Sequence, residues 1–143
     1  MCYLRGHEKY GVLFTGHTDD MFRFVVRLKT DADDGQDLPT SKSYSGCLSA
    51  IEGVKTWCPT HWTAARQGVT GISTGDVETV AIRDGTYGDA LPLVGCLEFI
   101  LRRVVRLIAE TDSDASRLAI RRGYSRRLAY LRKTSRVSLG GAQ

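Results

Sequence analysis

"LKTDADDGQDLPTSKSYSG", residues 28–46, places four aspartates, Asp31, Asp33, Asp34 and Asp37, directly behind an apolar, strand-like run. Asp, Gly and Pro punctuate turns, so one reading is a solvated, turn-forming loop. The other is that one aspartate ends a strand beside a metal ion. Partners elsewhere in the chain decide between them, and the search for those partners defines the fold.

Upstream, "MFRFVVRLKT" (21–30) sets Phe22, Phe24, Val26 and Leu28 against Arg23, Val25, Arg27 and Lys29. That period of two predicts a strand with one apolar face. "YGVLFTG" (10–16) reads as a shorter strand before it. Downstream, "SYSGCLSAIEG" (43–53) and "VKTWCPTHWTA" (54–64) read as two more strands joined by a turn at Glu52-Gly53, with Pro59 either confining the second to an edge or interrupting it. Beyond these the period lengthens. Ser73 with Asp76 is a helix-start signal, and the helix behind it carries Val77, Glu78, Val80 and Ala81 as far as a break at Gly85 and Gly88. Asp89 is placed to cap a second helix, with Pro92 in its first turn and Leu93, Val94, Leu97, Ile100, Leu101 and Val104 inside. "VRLIAETD" (105–112) reads as a buried strand. Ser113 or Asp114 caps "ASRLAIRR", which Gly123 stops. Three strands, helices, a strand and a helix predict an α/β fold that mixes antiparallel and parallel pairing.

In that layout Asp31 and Asp112 end two strands. Parallel pairing would bring both carboxylates to one edge of the sheet, where α/β sites lie, and a helix packed across the strands could aim Glu78 at them. Three converging carboxylates repel one another unless cations neutralise them, and hard oxygen ligands suit Mg²⁺ or Mn²⁺. The alternative is three unrelated surface acids.

The totals narrow the rest. At 143 residues, 42% hydrophobic and 25% charged, the chain has the composition of one globular domain. No apolar run approaches the ~20 residues of a membrane span, and "MCYLRGHEKYG" lacks the apolar core of a signal peptide. A cytoplasmic or nuclear location without membrane attachment is the expectation. Cys2, Cys47, Cys58 and Cys96 are scattered; only Cys58-x-x-His61 approaches zinc-ligand spacing and it has no second pair, so reduced thiols are expected. Residues 1–114 hold twelve basic and all sixteen acidic residues, a net of −4, while 115–143 hold eight basic residues and no acid. Such an end suits a polyanion or is simply a solvated tail.

Four segments in order resemble the ribonuclease H domain of Ty1/copia-type retrotransposon polyproteins. "CYLRGHEKYGVLF" is similar to the Arg-Tyr-Leu-Lys-Gly-Thr…Gly-Leu end of the reverse transcriptase connection. "DADDGQDLPTSKSYSG" resembles Asp-Ala-Asp-Trp-Ala-Gly-Asp…Ser-Thr-Ser-Gly. "HWTAARQGVTGISTGDVETVAI" resembles Trp-x-Ser-x-Lys-Gln…Ser-Thr-x-Glu-Ala-Glu-Tyr-x-Ala-Leu, and "ETDSDASRLAI" the Asp-Asn/Ser-x-Ala-Ala-x-x-Leu segment.

The resemblance implies a ribonuclease H-like mixed sheet, an antiparallel three-stranded ribbon plus a parallel strand, with packed helices. Residues 1–20 would end the connection segment, 21–124 form the ribonuclease H-like domain and 125–143 a basic tail. Asp31, Glu78 and Asp112 take the catalytic places and would hold two Mg²⁺ or Mn²⁺ ions, leaving Asp33, Asp34 and Asp37 as loop acids. Ser113, Arg117, Arg121, Arg122, Arg126 and Arg127 would contact nucleic acid. An RNA/DNA hybrid is the implied substrate and the reverse transcriptase domain of the same polyprotein the implied partner, with a virus-like particle as location if the element is active.

The chain departs from the pattern at Asp34, where the family has Trp, and at "TWCP". It departs most at the fourth carboxylate: Ala129 stands where an acid is expected, and the last strand and helix are absent. A catalytically inactive nucleic-acid-binding remnant is therefore the alternative. A sheet so shortened would also leave an apolar face and an unpaired strand edge, with marginal stability or self-association the expected consequence.

Overall fold

A computed structural model describes residues 11–33, 42–68 and 73–122. A 3₁₀ turn, Thr18–Asp20, leads to β1 (Val25–Ala32), β2 (Tyr44–Glu52) and β3 (Trp57–Arg66). Then come α1 (Thr74–Gly85), a π-helical turn (Thr86–Ala90), α2 (Leu91–Leu101), β4 (Arg106–Glu110) and α3 (Asp114–Arg122). The strands form one mixed sheet in the order β3-β2-β1-β4. β1–β2 and β2–β3 pair antiparallel, and β1–β4 pair parallel.

The period of two in β1 carries the architecture. Val26, Leu28 and Thr30 are buried on the helix-covered face, while Arg27 and Lys29 face the other way. Val26 and Leu28 join Ala90, Val94, Leu97 and Val105 in one core cluster, flanked by Cys47, Ile51, Leu93, Leu101 and Leu107. On the uncovered face Arg27 pairs with both Glu52 and Glu110, tying β1 to its two neighbours.

Several expectations need correction. The strand begins at Val25, so Phe22 and Phe24 lie before it and Phe22 is exposed. Residues 11–16 form no strand; Thr15 alone bridges to Trp57. The third strand runs over 57–66 rather than 54–64, because the Gly53–Thr56 turn occupies the start of that range, with Asp20 accepting from the Lys55 N–H at 2.7 Å. As Pro59 requires, β3 is an edge strand, and the register shifts beside Pro59.

Gly85 and Gly88 do not break the helix. Helical backbone continues from Thr74 to Leu101 through the π turn, where the Leu91 N–H reaches Thr86. The widened turn immediately precedes Pro92, which has no N–H to offer the helical ladder. Asp89 therefore caps nothing. It lies within the π turn and is bound by Cys47 and His61.

Gly85 serves close approach instead. A Cβ there would stand 3.1 Å from Leu28 Cδ1, 3.3 Å from Thr30 Cγ2 and 3.4 Å from Cys47 Cβ. Gly85→Val should thus lift α1 off the sheet and cost about 1–3 kcal/mol. Urea unfolding measures it, and an unchanged midpoint would contradict the close packing.

α2 ends at Leu101, where Arg102 takes a left-handed φ of 53° and its guanidinium stacks over Phe99 at 4.8 Å. Ile100 and Val104, expected inside, are 64% and 83% exposed. β4 is shorter than the 105–112 run and only half-buried, because it is an edge strand paired to β1 alone. In α3, Ser113 is the residue that caps, accepting from the Ser116 N–H at 3.3 Å. Gly123 and the tail 125–143 lie outside the described residues, whereas residues 15–20 bond to β3 and the turn before it.

Candidate metal centre

Asp31 is the seventh of eight residues in β1, and Asp112 follows β4 by two residues. Parallel pairing of those strands sends both acids to the same end of the sheet. Glu78 comes from the second turn of α1, which packs on β1 and β2. Three carboxylate oxygens, one from each residue, lie within 4.8 Å of one another.

Strand geometry explains how Glu78 is aimed. The Asp33 N–H bonds to the Tyr44 carbonyl, so odd residues of β1 turn their backbone groups toward β2 and even ones toward β4. β4 pairs only as far as Lys29, which leaves the Ala32 N–H beyond the last partner. Glu78 Oε1 accepts that N–H at 3.3 Å. Asp31 keeps the parity of Arg27 and Lys29, and no bulge interrupts β1. The three acids meet at the end of the sheet, past its last parallel pair, rather than on its covered face.

Burial sets the electrostatics. Glu78 is 3% exposed, while Asp31 and Asp112 are open to solvent. Desolvation holds the Glu78 carboxyl above the ordinary glutamate range; the charges of Asp112 and Asp31 raise it further, and the Ala32 N–H and the Thr111 hydroxyl partly offset this. Glu78 Oε2 is buried with no hydrogen-bond partner among the described residues. A buried, unpartnered carboxylate oxygen on a residue beside two more carboxylates is costly while ionised, and either a proton or a cation would relieve it.

Residues with no signature of their own hold the site. Gln67, buried at the end of β3, donates through Nε2 to the Val77 carbonyl and to Ser45 Oγ, both at 2.8 Å, fixing α1 against β2. Ser116, fully buried, donates to the Gly75 carbonyl at 3.1 Å and lies 3.0 Å from Ser113 Oγ and 3.3 Å from Thr79 Oγ1. That hydroxyl cluster joins the first turn of α3 to α1 and so keeps Asp112 beside Glu78. A small polar residue three positions after a helix cap was the available signal for Ser116; Gln67 falls on the glutamine of the Trp-x-Ser-x-Lys-Gln segment, which marks the position and not its contacts.

The remaining expected residues are dispersed. Asp33 Oδ1 accepts the Tyr44 N–H, a turn role, and Asp34 and Asp37 lie outside the described residues. Ser113 is engaged in its cap. Arg117 pairs with Asp114 at 2.7 Å, and Arg121 and Arg122 are exposed in the last turn of α3, on the helix that begins at the acidic cluster. Arg126 and Arg127 lie outside the described residues.

Cys58 does not join His61 in a site. His61 Nε2 meets Asp89 at 3.1 Å, and the Cys47 thiol donates to the other oxygen of Asp89 at 2.8 Å. Burial, then the bond to Asp89, pushes the Cys47 thiol up. The described cysteines Cys47, Cys58 and Cys96 are free thiols. Among the described residues no helix is long and apolar enough to cross a membrane.

These observations define an α/β domain with a mixed four-stranded sheet that gathers three carboxylates at the C-terminal ends of its parallel pair. The chain matches no family model, no curated protein and no solved structure among known proteins.

Proposed function

We propose that the chain is a ribonuclease H-type, metal-dependent endonuclease of the retrotransposon kind, with a ribonuclease H-like sheet of four strands among the described residues. The reading rests on one observation, the convergence of Asp31, Asp112 and the buried Glu78, whose carboxylate keeps one oxygen unpartnered. An all-carboxylate donor set fits Mg²⁺ or Mn²⁺ rather than a softer metal. Asp31, Glu78 and Asp112 would hold the ions. When bound, a pair of such ions supplies activation of water and neutralisation of the departing oxygen in phosphodiester hydrolysis.

The chain's own residues do the positioning. The Ala32 N–H and the Thr111 hydroxyl fix the Glu78 carboxylate, and burial keeps water from competing for it. Solvent-open Asp31 and Asp112 leave the outer side of the cluster free for a phosphodiester. Arg117, Arg121 and Arg122 on α3 supply positive charge for the flanking phosphates. The RNA/DNA hybrid as substrate, and the reverse transcriptase domain as neighbour, are taken from the resemblance.

A second reading, a nucleic-acid-binding remnant without turnover, is favoured by the acid count: three rather than four carboxylates converge among the described residues. One experiment separates the two. A labelled RNA/DNA hybrid is incubated with the protein and Mg²⁺ or Mn²⁺, beside Glu78→Gln, single-stranded RNA and duplex DNA. Cleavage of the hybrid's RNA strand, lost in the variant, is the expected result. Folded protein that binds the hybrid and leaves it intact would establish the remnant.

A further inference from the structure

The sheet has two edges, and they are built differently. The β3 edge is blunted: Pro59 sits in the strand, the register shifts beside it, and Thr15 already bridges to Trp57. The β4 edge has neither proline nor bulge. Even residues of β1 direct their backbone groups to β4, so in the parallel register Arg106, Ile108 and Glu110 bond inward. Leu107 and Ala109 therefore turn their N–H and C=O groups outward, past the last strand of the sheet among the described residues.

The side chains of Leu107 and Ala109 face the helices, at a cavity of about 420 Å³ also lined by Ile82, Leu91 and Ile120. On the opposite face of β4 stand Arg106, Ile108 and Glu110. Arg106 is exposed and forms no ion pair among the described residues. An unblunted edge with outward backbone groups, apolar residues on one face and one unmatched cation on the other is a template for an added strand.

We propose that this strand is β4 of a second copy, paired antiparallel about a two-fold axis at Ile108 to make a continuous eight-stranded sheet. The sequence of β4 is self-complementary in that one register. Leu107 falls opposite Ala109 of the second copy, so the outward N–H and C=O groups meet as hydrogen-bonded pairs. Ile108 packs on its own counterpart at the axis. On the uncovered face each Arg106 comes opposite the other copy's Glu110, a cross-strand ion pair of opposite charges. Glu110 already meets Arg27 and Lys29, so it is held in the plane where the incoming guanidinium arrives. The other registers that keep the outward groups facing lose this match. A slip one way sets Arg106 against Ile108, and a slip the other way sets Ile108 against Glu110. An isologous contact of this kind closes as a dimer and does not propagate into fibres.

Sedimentation velocity of the full chain across a wide concentration range tests the proposal. The parent chain should move from monomer to dimer with rising concentration. Arg106→Glu sets like charges opposite each other at both ends of the contact and should weaken association by about tenfold or more. Ala109→Pro removes an outward N–H while leaving the bonds to β1, a change that edge strands tolerate, and should leave only monomer. Ile108→Cys puts a thiol at the axis of a non-hydrogen-bonded pair, close enough for a bridge, and mild oxidation should give a covalent dimer that the parent does not form. Because Ile108→Cys is conservative in size, it reports on the register even where Ala109→Pro unfolds the chain. A parent chain that stays monomeric throughout overturns the proposal, including the case where the edge takes a strand from another protein. So does a dimer that Arg106→Glu leaves as tight and Ile108→Cys leaves uncrosslinked.

Discussion

Glu78→Gln should stabilise the metal-free protein at neutral pH and at the same time abolish its stabilisation by Mn²⁺ or Mg²⁺. The folded state buries Glu78 beside Asp112 and Asp31, and both burial and those charges raise its pKa. In the unfolded chain a glutamate titrates near ~4.3. A group whose folded pKa is raised contributes stability that is fully present below the unfolded value and lost as pH rises through the folded value. This one group therefore costs the metal-free wild-type protein stability from about pH 4.3 upward. Glutamine carries no proton equilibrium there. Its carbonyl can still accept the Ala32 N–H, and its amide can donate to the neighbouring carboxylates. The advantage of the variant over wild type should thus grow with pH across that window.

A divalent cation reverses the order. A metal that binds only the folded state at a hundred times its dissociation constant adds about 2.7 kcal/mol. Wild type should gain it and Glu78→Gln should not. Urea unfolding at several pH values, with and without Mn²⁺, reads both parts. A variant whose stability relative to wild type does not change with pH would show that Glu78 is not the strained ionisable group, even if cleavage fails for other reasons.

Legibility in the sequence followed the range of the interaction. The alternation of Val26 and Leu28 about Arg27 and Lys29 is a local pattern, and the sheet obeys it. The Ser73–Asp76 start is local too, and Asp76 does accept the Ser73 N–H at 2.8 Å. Gly85 misled because one residue type has two uses: glycine breaks helices, and it also lets a helix approach a sheet. Only the position of Leu28, Thr30 and Cys47 tells which applies. Ile100 and Val104 misled because apolar period says which side of a helix could be buried, not whether an element exists to cover it.

At the site, Asp31, Glu78 and Asp112 were legible from strand order and from the resemblance together, since strand ends and helix starts carry sequence marks. Gln67, Thr111 and Ser116 lie within segments that carry the resemblance, but what each of them holds was not legible. Each acts through a contact with another element, as when Ser116 reaches Gly75, and nothing in the neighbouring residues encodes such a partner.

Asp31 and Asp33, at the C-terminal end of β1, should separate cleanly under substitution. Asp31→Asn should lower cleavage of the hybrid by about a thousandfold or more, because loss of a charged ligand removes several kcal/mol of metal-borne stabilisation and each ~1.4 kcal/mol is a factor of ten. Asp112→Asn should do the same, with folding intact, since both side chains are exposed and neither carboxylate supports the core. Asp33→Asn should behave in the opposite manner. Its Oδ1 accepts the Tyr44 N–H, so the substitution weakens a charge-assisted turn bond and should cost roughly 1 kcal/mol of stability while cleavage changes little. Two acids two residues apart, one in β1 and one just past it, would then differ in kind. One ends the strand inside a carboxylate cluster; the other closes the hairpin against β2. If instead Asp33→Asn lowers cleavage as far as Asp31→Asn does, the ligand set is incomplete, and Asp33 supplies the fourth acid that the resemblance fails to locate.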